Sequence, residues 1–182
     1  MISRIPITNS PNVKNILRAF LFLKRNDGFK KLSRYFPNYH YIAFARSAIS
    51  LMFIYKMRIQ YENNKKPLIF LPDYFCNEST RYLRAINANI KFYPFKSIDK
   101  EFLTKELMLQ KGSIFLFVNY FGQNNYPKEN IFDFLKKKDI WIIEDSTHQI
   151  FSKKYTNKNS DFILLSPHKI YSIPNGAIML YR

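Results

Sequence analysis

Asp145 and Lys169 are the residues of this 182-residue chain best placed by type and position to do chemistry. Each stands just past a short apolar run. Trp141-Ile142-Ile143 leads into Glu144-Asp145-Ser146-Thr147-His148, and Phe162-Ile163-Leu164-Leu165 leads into Ser166-Pro167-His168-Lys169. Such runs read as buried strands, and in an open α/β sheet ligands bind at the carboxyl ends of parallel strands. An acid at one strand end and a lysine at the next are therefore placed to face one bound group. A carboxylate aimed at a pyridinium nitrogen, with a lysine able to form a Schiff base, is what pyridoxal 5'-phosphate (PLP) requires of a protein.

Three patterns follow one another here: Asp145-x-x-His148, Ser166-x-x-Lys169 and Pro174-x-Gly176-Ala177. In order and wording they resemble the DegT/DnrJ/EryC1/StrS family of PLP-dependent sugar aminotransferases. The likeness is greatest to a branch whose lysine motif reads Ser-x-Arg-Lys, with His168 standing here for the arginine. The resemblance implies that Lys169 carries the cofactor and moves protons, and that Asp145 pairs with the pyridine nitrogen. It implies that His148 lies near the ring's phenolic oxygen and that Ser166 bonds the phosphate. It further implies an amino-acid donor, a keto group on a nucleotide-linked sugar as acceptor, and a homodimeric enzyme of amino sugar and polysaccharide biosynthesis.

The elements that must position these residues are legible as alternating apolar runs. Strands are expected at Tyr41–Ala45, Leu68–Leu71, Ile90–Tyr93, Ile114–Val118, Trp141–Ile143, Phe162–Leu165 and Ala177–Tyr181. Helices are expected over Asn15–Leu23, Ser47–Tyr61, up to Ala85, over Asp99–Leu109 and over Ile131–Lys137. Strands alternating with helices predict a mostly parallel sheet covered on both faces. A seven-stranded sheet with an antiparallel last strand is also what the resemblance implies for the large domain of a PLP-dependent transferase. Ile49, Met52, Phe53, Met57 and Ile59 suggest a buried helix after the first strand. A strand turning through Ser47 and Ala48 into that helix offers backbone N–H groups to an anion, although serine is also an ordinary N-cap. In the resembled family this turn binds the cofactor phosphate. The segment Pro72-Asp73-Tyr74-Phe75-Cys76 matches a family segment whose fourth residue after the proline lies against the cofactor ring. By that count Cys76 is either a ring-facing thiol or a small buried residue.

Composition bounds the rest. A hydrophobic fraction of 47% over 182 residues supports a real core. Lys and Arg number 29 against 13 Asp and Glu, a formal charge of +16, but they are spread along the chain and not gathered on one face. That argues for no specific nucleic-acid partner, while a phosphate-rich substrate would still be attracted. A single cysteine excludes an internal disulfide and a cysteine zinc cluster and fits a reducing compartment. The chain reads as cytoplasmic and without a membrane span. His40, His148 and His168 have no metal-ligand spacing. Asp145, His148 and Ser166 make a poor hydrolase triad, because an acid and a histidine one turn apart cannot take the orienter and base positions. Residues 1–40 read as an N-terminal helical segment and 41–182 as a cofactor-binding large domain. That domain is expected to be incomplete, truncated after the seventh strand, with no small C-terminal domain and an apolar face left open. The competing reading is a basic, non-catalytic binding protein on a degenerated aminotransferase fold.

Overall fold

A computed structural model describes residues 33–95, 110–149, 158–171 and 174–182. The expected helices at Asn15–Leu23 and Asp99–Leu109 lie outside the described residues.

Seven strands form one sheet: β1 (His40–Phe44), β2 (Leu68–Pro72), β3 (Asn89–Tyr93), β4 (Ile114–Val118), β5 (Trp141–Asp145), β6 (Phe162–Leu165) and β7 (Ala177–Tyr181). Their spatial order is β1-β7-β6-β5-β4-β2-β3. The pairings β2–β3, β2–β4, β4–β5 and β5–β6 are parallel, and β7 is antiparallel to both β6 and β1. Helices α1 (Ser47–Tyr61), α2 (Asn77–Ala85) and α3 (Glu129–Lys137) cover the sheet. The architecture is the seven-stranded α/β sheet expected from the sequence.

Side chains alternate between the faces of a strand, and the core divides accordingly. Ile69, Leu71, Ile114, Leu116, Ile143 and Leu164 pack with Leu51, Ile54 and Tyr55 of α1. Phe70, Phe115, Phe117 and Ile142 pack with Ile131, Phe132 and Leu135 of α3. This alternation carries function. Asp145 follows Ile143 by two residues, and Ser166 follows Leu164 by two, so both stand on the α1 face.

Three expectations are corrected. The fully buried face of α1 consists of Ala48, Ser50, Leu51, Ile54, Tyr55 and Arg58, while Phe53 is exposed and Ile49, Met52, Met57 and Ile59 are half-buried. Apolar residues surround this helix, so packing against the sheet chose the face. β5 continues through Glu144 and Asp145, two residues past the apolar run, because buried partners satisfy those side chains. Finally, the last strand does not leave an apolar face open. β7 lies inside the sheet between β1 and β6, with Ala177, Met179 and Leu180 buried. Ile163, Leu165 and Leu180 on the second face are buried with Phe36.

Candidate functional site

β4, β5 and β6 run in parallel, so their carboxyl ends meet at one edge. Val118 pairs with Asp145, and Asp145 with Leu164. The backbone stitches continue beyond the strands, with Asn119 N donating to Asp145 O at 2.9 Å and Ser146 N to Leu164 O at 2.9 Å. Asp145 is 7% exposed, and its Oδ1 accepts the N–H of Thr147 at 3.0 Å. Pro167-His168-Lys169 forms a single 3-10 turn after β6, closed by Lys169 N donating to Ser166 O. That turn projects Lys169 back over the strand ends, where Nζ donates to Thr147 Oγ1 at 3.1 Å. The acid and the amine named from the sequence are thus joined through one threonine.

Beside Lys169 opens a cavity of about 240 Å³ whose wall includes Ser47, Ala48, Cys76, His168 and Lys169. The expected turn residues, the cysteine and the lysine therefore meet at one place, whereas Asp145 and His148 lie outside the cavity wall. Arg46, not Ser47, occupies the N-cap position of α1; no side chain caps the helix, and its first turn holds no acid. The start of α1, with Ser47 and Ala48 in the wall, thus turns its amino end towards the cavity, a favourable place for an anion. Ser166 is 2% exposed, and its Oγ has no hydrogen-bond partner among the described residues. A buried hydroxyl left in that condition is costly, which a ligand oxygen would relieve. Cys76 is exposed at the N-cap of α2, which discards the reading of it as a small buried residue.

His148 is exposed and stacks on Phe121, with ring centroids 6.4 Å apart. Burial of part of the ring, then the charge of Lys169, hold its imidazole below its usual range against the pull of Asp145. Phe121 and Gly122 both have positive φ, 55° and 76°, and a Cβ on Gly122 would stand 3.2 Å from the His148 carbonyl oxygen. The two loops approach closely there, and glycine is what permits it. His168 Nδ1 lies 2.9 Å from Gly176 O, which ties the lysine turn to the Pro174-x-Gly176 segment.

Several residues went unrecognised in the sequence. On the other face of β5, Glu144 is 0% exposed. Its Oε1 accepts from Asn119 Nδ2 at 2.9 Å and Ser146 Oγ at 2.6 Å, and its Oε2 from Ser160 Oγ at 3.3 Å. Asn119 also accepts the N–H of Asn125 on its Oδ1, so this cluster locks three strand ends together. Tyr120 donates to the Tyr74 carbonyl, and burial followed by the nearby Asp145 charge pushes its phenol up. Asn119, immediately after an all-apolar strand, was the one with a readable signal: a polar residue at a strand end. Asp145, His148 and Ser166 do not form a triad, since Ser166 Oγ bonds neither of the other two. Among the described residues there is no cluster suited to a metal ion, and no helix is long and apolar enough to cross a membrane.

This fold recurs in solved PLP-dependent enzymes. Spr1654 of Streptococcus pneumoniae, assigned as a sugar aminotransferase and solved in its PLP form, superposes with a TM-score of 0.72 at 12% identity, over 98% of this chain and 53% of that one. PseC of Helicobacter pylori, an aminotransferase of pseudoaminic acid biosynthesis, gives 0.67 at 18% identity, over 96% and 51%. A NifS-like protein gives 0.66 at 17% identity, over 96% and 57%. At these identities the likeness is one of fold, and the chain spans about half the length of the structures it matches. No protein-family model and no curated protein sequence matches the chain.

Proposed function

We propose that this chain is the cofactor-binding portion of a PLP-dependent aminotransferase that transfers an amino group from an amino acid to a keto group on a nucleotide-linked sugar. The observation that carries the reading is the meeting of Asp145 and Lys169 through Thr147, beside a cavity walled by Ser47, Ala48 and Cys76. The orphaned hydroxyl of Ser166 supports it, because this buried atom lacks the oxygen ligand that a phosphate would supply.

PLP, when bound, supplies an electron sink for the carbanion left by a departing α-proton. Asp145, held by the Thr147 N–H, would be the carboxyl group that pairs with the ring nitrogen. The N–H groups at the start of α1 and the Ser166 hydroxyl would take the phosphate oxygens. Cys76 would contribute a wall of the cofactor pocket, and His148, stacked on Phe121 outside the cavity wall, would lie near the ring oxygen. Lys169 would hold the cofactor's aldehyde through its amine, and its free amine would be the group that moves the proton. The sugar nucleotide, the homodimer and the pathway of amino sugar biosynthesis belong to the same reading.

The test is covalent capture. The purified chain mixed with PLP should turn yellow, and borohydride should fix the cofactor on the peptide containing Lys169. Lys169→Ala should abolish the label, whereas Asp145→Asn should retain it and, in an active enzyme, lower turnover by on the order of two to four powers of ten. Labelling elsewhere, or a colourless protein with no reduction product, overturns the reading in favour of a basic binding protein on the same fold.

A further inference from the structure

Thr147 touches both members of the Asp145–Lys169 pair, and it does so with different atoms. Its N–H occupies Asp145 Oδ1 at 3.0 Å, and its hydroxyl oxygen accepts Lys169 Nζ at 3.1 Å. Thr147 is 4% exposed, whereas Lys169 is exposed. The threonine is therefore the fixed member of the contact, stiffened by its β-branch, and the lysine is the flexible one.

We propose that Thr147 is a positioning residue, a spacer that holds the Lys169 amine near Asp145 but off its carboxylate. This rests on the PLP reading and adds a role to it. An ammonium on a flexible stem beside a carboxylate is drawn into an ion pair. Such a pair would occupy the acid needed for the ring nitrogen and keep the amine in its unreactive ammonium form. Asp145 and Lys169 form no ion pair in this structure; the hydroxyl takes the amine's donor, and the backbone N–H takes one carboxylate oxygen. Threonine is suited to both tasks. Valine fills the same volume without the acceptor, and serine retains it.

The experiment measures the rate at which a small acylating reagent labels Lys169 in the cofactor-free chain, read by peptide mass spectrometry, for wild type, Thr147→Val, Thr147→Ser and the double variant Thr147→Val/Asp145→Asn. The valine variant should label about threefold more slowly, the worth of a half-exposed ion pair. The serine variant should match wild type, and Asp145→Asn should restore the rate of the valine variant. Equal or faster labelling of Thr147→Val, or a slowing that Asp145→Asn leaves unrelieved, overturns the spacer role. Because the readout needs no cofactor, failure of PLP capture alongside the expected labelling would refute the cofactor reading and leave the spacer standing.

Discussion

Helix α1 joins two opposite ends of the sheet, and these treat buried polar groups in contrary ways. Near its carboxyl terminus Arg58, 0% exposed, is held through Nε and Nη2, while its Nη1 has no partner among the described residues. Its Nε donates to Gly112 O at 2.9 Å, and its Nη2 reaches Asp139 O at 2.6 Å, Asp139 Oδ2 at 3.1 Å and Glu62 Oε1 at 2.9 Å. The guanidinium also lies 4.7 Å from the centre of the Trp141 ring. At the amino terminus of the same helix, Ser47 and Ala48 of the first turn wall an open cavity, and nearby at the end of β6 the buried Ser166 hydroxyl has no partner among the described residues. The amino end of the sheet supplies nearly every partner from within the chain. At the carboxyl end the Glu144 cluster is also satisfied from within, but the Ser166 hydroxyl is left without a partner. A fold can accept that cost at the site because the opposite end is secured.

The contrast can be broken at the secured end first. Arg58→Ala strands the carbonyls of Gly112 and Asp139 and removes a buried cation from its acids. Chemical denaturation should show a loss of about 3 kcal/mol, the largest effect expected of any single change here. An unaltered midpoint would mean that the clamp contributes nothing. At the open end the sign reverses. Ser166→Ala deletes a hydroxyl that has no partner, so stability should hold or rise by up to about 1 kcal/mol. PLP affinity, followed by absorbance titration, should fall about tenfold, the worth of one hydrogen bond to a charged group. A loss of stability in this variant would show that the hydroxyl is satisfied after all.

The smallest effect is a pH dependence at the secured end. Burial pushes the Asp161 carboxyl up, opposed by the Ile142 N–H bonded to it at 2.7 Å and by the charges of Lys136 and Arg58. A raised carboxyl binds more protons folded than unfolded. Stability from this group is therefore present at low pH and falls as pH rises from the ordinary carboxylate value through the raised one. Asp161→Asn keeps an acceptor for Ile142 and should flatten that fall in a series of denaturation midpoints. An unchanged profile in the variant would assign the pH dependence to other groups.

How much was legible depends on how local the cause is. Ile114–Val118, Phe162–Leu165 and Ala177–Tyr181 were read to the residue because uninterrupted apolar runs bounded by polar groups leave little choice of limits. Asp145 and Lys169 could be named because strand ends in a parallel sheet gather at one edge whatever the details of packing, whereas Ser166 was named only through the family resemblance. The buried face of α1 was misread because Leu51, Ile54 and Tyr55 are no more apolar than Ile49, Phe53 and Ile59 taken together, so composition around the helix is silent on orientation. Arg58 was invisible for a related reason. An arginine in a sequence reads as surface, and only Asp139 and Gly112, far along the chain, make its burial tolerable.

By itself, then, the sequence determined the alternation of strands and helices and the chemical types at the strand ends, since both follow from hydrophobic periodicity and local spacing. Tertiary structure alone decided that Thr147 bridges Asp145 and Lys169, that Asn119 and Ser160 satisfy Glu144, and that Cys76 opens onto the cavity of Ser47 and Lys169. Each of these joins elements separated along the chain, and the register between strands that brings them together is fixed by packing across the whole sheet.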